Sequence, residues 1–165
     1  MAIADMILME LDQEAMTTQR VLDRVPENKL SWKPHAKSFS LGQLALHLAG
    51  AQGRIAEMIS KDNFEIGSMT QPEAQSKKEI LDALPLSTAK AKEIVGKMDD
   101  ARMMSTWTLN KAGRVLMAAP RIGVIRGILL NHMYHHRGQL SVYLRLLEVP
   151  LPSIYGPSAD ENPFA

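Results

Sequence analysis

The sequence predicts an all-α protein: a four-helix bundle of the up-down type with crossover connections. Three observations carry that prediction. Apolar residues recur at three- and four-residue steps through four long segments, the spacing that places them on one face of a helix. Prolines and polar clusters fall mainly between those segments. Eleven methionines stand against only 5% aromatic residues, a balance that suits helices filling irregular gaps better than the Val/Tyr/Phe pattern of sheets. With 165 residues the chain is long enough for one domain over 1–165 with its own core, residues 151–165 forming a tail.

A first helix is predicted from Ile3 to Val25. Ile3, Ile7, Leu11, Ala15, Thr18, Leu22 and Val25 make one stripe, and Pro26 closes it. Residues 26–40 read as a linker in which Trp32 is an apolar plug over one end of the core. Ser40 followed three residues later by Gln43 has the pattern of a capping box. It opens a second helix that runs to about Ser60 and turns Leu41, Leu44, Leu48, Ile55 and Met58 inward. Residues 61–75, with Gly67 and Pro72, read as a surface connection. A third helical stretch spans Ser76 to Arg102, and Pro85 just ahead of the potential N-cap Ser87 favours a break there. Residues 104–117 read as an irregular crossover with short extended pieces and a tight turn at Lys111–Arg114. The fourth helix runs from Pro120, in its first turn, to Leu147 or Glu148, where Pro150 and Pro152 stop it. The tail beyond is expected to lie extended across the surface.

Composition narrows the partners. Nineteen basic residues against eighteen acidic ones leave a formal charge of +1, without the clustered basic footprint that nucleic acid or an anionic membrane needs. No apolar run reaches the roughly 18 residues of a membrane span. The N-terminus lacks the basic start and apolar stretch of a signal peptide, so a cytoplasmic location is expected. There is no cysteine, which excludes disulfides, thiolate metal ligands and a cysteine nucleophile.

The chemistry concentrates in residues 131–140, which hold three of the five histidines. On the fourth helix Ile125, Leu129, Tyr143 and Leu147 mark an inward seam, and stepping along it by threes and fours passes through His132 and His136. His135 sits about 100° around, on the flank with Ile128, Asn131 and Val142. On the second helix His47 lies on the row Leu44, Ala51, Met58. Two imidazoles one turn apart on a core face are costly unless hydrogen-bonded or metal-bound. A divalent cation accepts their lone pairs; the alternative is a pair of core histidines satisfied by backbone or water. The pattern His132-Met133-Tyr134-His135-His136 has the outer spacing of the zinc-peptidase helix but no glutamate in second place. Glu-x-x-His pairs of the di-iron kind are missing as well. Three neutral histidines leave open coordination positions, the mark of a catalytic rather than a closed structural site. Zinc is the geometric default, and nickel and iron(II) also accept imidazole.

Residues 34–44, Pro-His-Ala-Lys-Ser-Phe-Ser-Leu-Gly-Gln-Leu, lead to His47, and His132-x-x-x-His136-Arg137-Gly138-Gln139 follows later. Together with the tail Pro152–Glu161 these motifs resemble the DinB-like family, and they span nearly the whole chain. The resemblance implies a four-helix bundle with a metal held by His47, His132 and His136, commonly in a homodimer. It implies neither DNA binding nor polymerase activity, since the family name refers to DNA-damage induction in some members. Relatives in the wider superfamily are metal-dependent enzymes that use low-molecular-weight thiols, as S-transferases or as a thiol-dependent isomerase.

The neighbouring residues then have alternative roles. His135 is either an outer support of the site or a half-exposed flank residue. Arg137 pairs either with an anionic substrate or with Asp160 or Glu161 of the tail. Gly138 permits close helix approach. Gln139 either hydrogen-bonds a water at an open metal position or packs against another helix. His35 caps or fixes its loop. The function expected first is a metal-dependent transferase that activates a small thiol. The others are metal-assisted hydrolysis, with Glu57, Glu10 or Glu14 as base, and a non-catalytic metal-binding stress or interaction module.

Overall fold

The computed structural model describes residues 2–68 and 70–164. Helix α1 spans Ile3–Leu22, α2 Leu41–Ser60 and α3 Lys77–Gly96. A short α4 follows at Asp100–Met104. The last helical segment consists of α5 (Arg121–Val124), a π-helical stretch (Ile125–Leu130) and α6 (Asn131–Leu146) in direct succession. α3 packs on α1 and α2, and α6 packs on the same two helices. Their apolar faces meet in one core that includes Leu11, Leu22, Leu48, Leu84, Leu129 and Leu144. Among the described residues no helix is long and apolar enough to cross a membrane.

The all-α expectation needs correction. β1 (Asn63–Glu65) pairs in parallel with β2 (Thr106–Lys111), and β2 pairs antiparallel with β3 (Arg114–Pro120). The stretch predicted as an irregular crossover is thus mostly a hairpin, and residues 61–75 carry an edge strand of the same sheet. Two strands of this length leave little period-2 signal, and the pairing of Asn63 with Thr108 joins segments far apart in the chain. The predicted turn at Lys111–Arg114 is present. Ala112 and Gly113 take φ of 48° and 74°, the two positive values that a two-residue hairpin turn requires.

Pro85 does not break α3, contrary to the sequence reading. Ile80, Leu84, Thr88, Ala91 and Val95 are buried on both sides of it. That burial holds the helix through a residue costing about 3 kcal/mol in a helix interior. Ser87 is not an N-cap either; its Oγ accepts the Gly53 N–H at 2.8 Å. α2 and α3 approach so closely there that a β-carbon on Gly53 would lie 3.0 Å from the Ser87 carbonyl oxygen. α3 stops at Gly96, short of Arg102, and Asp99 opens α4 by accepting the Arg102 N–H at 2.7 Å.

The predicted capping box is observed. Ser40 Oγ accepts from the Gln43 N–H and Gln43 Oε1 accepts from the Ser40 N–H, each at 3.0 Å. At the other end of α2 the fully buried Arg121 donates to the carbonyls of Ile59 and Lys61, each at 2.8 Å. It thereby satisfies carbonyls that a helix end leaves without partners, and it ties the sheet to α2. His47 and Ile59 are twelve residues apart on this helix, so the sheet lies about 18 Å along the axis from the histidines.

The last helix extends from Arg121 nearly to the predicted end, but its face is not the predicted one. In α6 the deepest residues are Met133, Arg137, Leu140 and Leu144. The line through His132, His136, Tyr143 and Leu147 is only half-buried. The wider π turns at Ile125–Leu130 change the phase between the two parts of the helix, which a uniform 3.6-residue count cannot register. The histidines therefore sit on the flank of α6 that meets α2. The tail is folded back rather than extended: Leu151 N–H donates to Asp160 at 2.9 Å and Ser153 N–H to Glu161 at 2.6 Å.

Candidate metal centre

The second turn of α2 and the first turns of α6 bring His47, His132 and His136 together. His132 Nε2 lies 3.2 Å from His47 Nε2 and 3.1 Å from His136 Nε2. One nitrogen from each ring falls within 4.8 Å of the others, the arrangement of a group that could hold a metal ion. Imidazole nitrogens about 2.0–2.1 Å from one cation stand about 2.8–3.0 Å apart at right angles and about 3.3–3.4 Å apart at the tetrahedral angle. The observed separations fall between those values.

The outer nitrogens say which atoms face inward. His47 Nδ1 meets Gln71 Oε1 at 2.8 Å, and His136 Nδ1 meets Gln139 Oε1 at 2.7 Å. An amide oxygen only accepts, so each Nδ1 carries the hydrogen and each Nε2 turns a bare lone pair toward His132. Converging lone pairs call for a proton or a cation between them. Protonation is opposed at all three rings: burial lowers the pKa of His47, His132 and His136, and His132 falls from 6.5 to about 4. After burial, the largest causes at His132 are the neighbouring His136 and His47, followed by His135 and Arg54. His132 Nδ1 is itself buried and has no hydrogen-bond partner among the described residues. A donor set of neutral, lone-pair-bearing imidazoles suits a divalent cation.

Gln71 was not singled out from the sequence. It lies in the loop after β1, where nothing in local pattern marks a partner of a histidine 24 positions earlier. The capping box places it. Gln43 Nε2 donates to the Gln71 carbonyl at 3.0 Å, and Ser40 Oγ donates to Glu73 in the same loop at 2.5 Å. The start of α2 thus fixes both His47 and the side chain that orients it. Gln139 was singled out, and its place is one turn beyond His136, orienting that ring rather than packing on another helix.

The other candidates have other tasks. His135 is exposed on the flank, its ring 4.9 Å from that of His136. His35 fixes its loop, Nδ1 accepting the Lys37 N–H at 3.1 Å. Trp32 is half-buried against the core, edge-on to Tyr143 with ring centres 5.7 Å apart. Gly138 makes no close approach, since a β-carbon there would meet nothing within 4 Å. Arg137 pairs with neither Asp160 nor Glu161. It is buried and donates to Glu14 at 2.6 Å and to the Tyr155 hydroxyl, because the phase of α6 points it into the core beside α1. Asp160 instead pairs with Arg145.

None of the three proposed carboxylate bases joins the histidines. Glu14 is held by Arg137 and by Tyr155 at 2.7 Å, Glu10 by Arg126 and Tyr134, and Glu57 by Lys90 at 2.5 Å. A groove between α1 and α3, lined by Asp12, Met16, Leu84 and Lys92 among others, contains no histidine.

Fold and site together define a mostly helical protein with a small sheet and a three-histidine group able to hold a metal. The profile of the DinB family matches residues 3–162, and the chain belongs to that family. It is 27% identical over 158 residues to the protein YrdA of Bacillus subtilis (strain 168), described as uncharacterized, covering 95% of this chain and 90% of that one. Among solved structures it is similar to a DinB-like protein from Bacillus cereus ATCC 10987. That match has a TM-score of 0.71 and 25% identity, and it covers 90% of this chain and 95% of the other. The DinB-like protein YjoA of Bacillus subtilis shares the fold, with a TM-score of 0.68 at 17% identity over 90% of this chain and 97% of that one.

Proposed function

We propose that the protein is a metal-dependent transferase that activates a low-molecular-weight thiol, with His47, His132 and His136 as the metal ligands. The observation that carries this reading is the convergence of three Nε2 atoms, with the His47 and His136 rings fixed from behind by Gln71 and Gln139. A divalent cation held there supplies Lewis acidity that lowers the pKa of a thiol. The chain's own residues do the positioning. Gln71 and Gln139 hold the tautomer, and burial keeps the imidazoles neutral. His132 and His136, both half-buried on the flank of α6, would hold the ion together with His47. The chain has no cysteine, so the nucleophilic sulfur has to come from a small molecule.

Zinc is the first choice, and the nitrogen separations also suit nickel or iron(II). On this reading the four long helices form an up-down bundle that holds the ligands, and the protein works in the cytoplasm as a homodimer. The hydrolytic alternative is weakened because Glu10, Glu14 and Glu57 are each engaged elsewhere. The non-catalytic alternative, a metal-binding stress or interaction module, draws on the same engagement of those three carboxylates away from the triad.

The test loads the untagged protein with zinc, nickel or iron(II) and assays conjugation of an electrophile with several cellular thiols. A metal-dependent rate that His132→Ala abolishes supports the transferase. Metal uptake with no rate for any thiol leaves the binding module, and no uptake removes both.

A further inference from the structure

A cationic side chain stands beside the triad with no acidic partner among the described residues. Arg54 follows His47 by seven residues on α2, hence on the same face of the helix. Its guanidinium folds back toward the helix N-terminus and lies over Gly50. A β-carbon at position 50 would be 2.7 Å from Arg54 Nη1 and 3.5 Å from Cζ. Gly50 is one turn from His47, a rise of about 4.5 Å. Only glycine leaves room for the group to lie in that place.

Arg54 forms no salt bridge among the described residues. Its natural partner on the same helix, Glu57 at i+3, is taken by Lys90 at 2.5 Å. Its charge is felt by both His47 and His132, whose protonation it opposes. Burial against the helix lowers the pKa of the guanidinium although the residue as a whole is exposed, which fits a head group laid down on the surface. The triad contributes no negative charge, since all three members are neutral imidazoles, and the glutamines behind them are neutral as well. A divalent cation at the triad together with Arg54 therefore makes a strongly positive patch. Such a patch selects a ligand with two anionic points.

We infer that Arg54, seated over Gly50, binds the carboxylate of a small molecule whose other end ligates the metal at the triad. The inference rests on the metal-site reading above and adds the charge class of the substrate. The acceptable ligand is a small thiol, or another metal-ligating compound, with a carboxylate a few bonds from the ligating atom. Arg54 is a specificity residue here, because it acts on recognition and leaves the triad intact.

Cobalt(II) in place of the native metal gives a readout independent of turnover, the visible absorption of the ion. Two ligand pairs are titrated into the cobalt-loaded protein: 3-mercaptopropionate against 2-mercaptoethanol, and succinate against acetate. The wild type is expected to prefer the member with the extra carboxylate by about tenfold or more, the size of a charge-assisted hydrogen bond. Arg54→Gln should lose that preference. Arg54→Lys should keep part of it. Gly50→Ala, which retains the charge and displaces the guanidinium, should lower it; circular dichroism checks that each variant is folded.

An unchanged preference in Arg54→Gln overturns the inference while leaving the thiol reading in place. If neither thiol perturbs the cobalt spectrum but succinate preference falls in Arg54→Gln, the arginine subsite stands and the thiol reading fails. No cobalt uptake, or no response to any of the four ligands, overturns both.

Discussion

Gln71 and Gln139 decide which nitrogens of His47 and His136 face inward, and they do so with a single hydrogen bond each. Such outer partners typically change metal affinity about 10–100-fold when removed. Gln71→Ala and Gln139→Ala are each expected to weaken zinc binding in that range in competition with a chromogenic chelator, with the circular dichroism spectrum unchanged. Unaltered affinity in both variants would argue that the imidazoles are fixed by packing alone. The same residues predict a pH dependence for the metal-free protein. His132 titrates near 4 in the folded chain against 6.5 for an unperturbed imidazole, chiefly because it is buried. Between those values the unfolded chain binds a proton that the folded one does not, so stability rises with pH across the window and is lost as pH falls through it. His47 and His136 shift in the same direction, burial again being the main cause. The urea midpoint of metal-free protein should be lower at about pH 5 than at about pH 7.5, and His132→Gln should reduce the difference. Equal midpoints in the parent protein would contradict the assignment.

At the scale of elements, the strongest sequence signals concerned ends and periods. Ser40 and Gln43 form the expected box, and the tight turn at Ala112–Gly113 is where the sequence placed it. Both are local devices whose hydrogen bonds or φ values lie within a few residues. Pro85 shows how a local signal is overruled. Burial of Leu84 and Thr88 and the Ser87–Gly53 contact outweigh the missing N–H. Pro85→Ala restores that donor, and subtracting the extra freedom of the unfolded chain leaves an expected stabilisation of about 2 kcal/mol by urea denaturation. A destabilised variant would mean that the proline ring itself contributes packing in the α1–α3 groove, which it lines. The π stretch at Ile125–Leu130 is the element that redirected the last helix. It moved Arg137 into the core, where Glu14 and Tyr155 engage it, and left His132 and His136 at the α2 boundary.

For the molecule as a whole, the site links two segments far apart in sequence, with His47 and His132 separated by 85 positions. A ligand that binds only the folded arrangement stabilises all of it. Zinc at a hundred times its dissociation constant adds about 2.7 kcal/mol, or roughly 5–10 °C in Tm for a chain of this size. His47→Ala should abolish the rise in a thermal melt, and a rise of equal size in that variant would place the binding elsewhere.

What the sequence determined by itself was the helical character, the capping box of α2, the turn and the identity of the three histidines. Each of these depends on residue type and short spacing, and the family motifs reinforced the last. The tertiary structure alone decided that a three-stranded sheet closes one end and that Pro85 sits inside a continuous helix. It also decided that Arg137 answers to Glu14 and Tyr155 rather than to Asp160 or Glu161, that Gln71 orients His47, and that Arg54 lies over Gly50 with no salt bridge among the described residues. Those facts come from contacts between distant segments and from a change of helical phase. Burial and packing energies set them, and no local pattern encodes either.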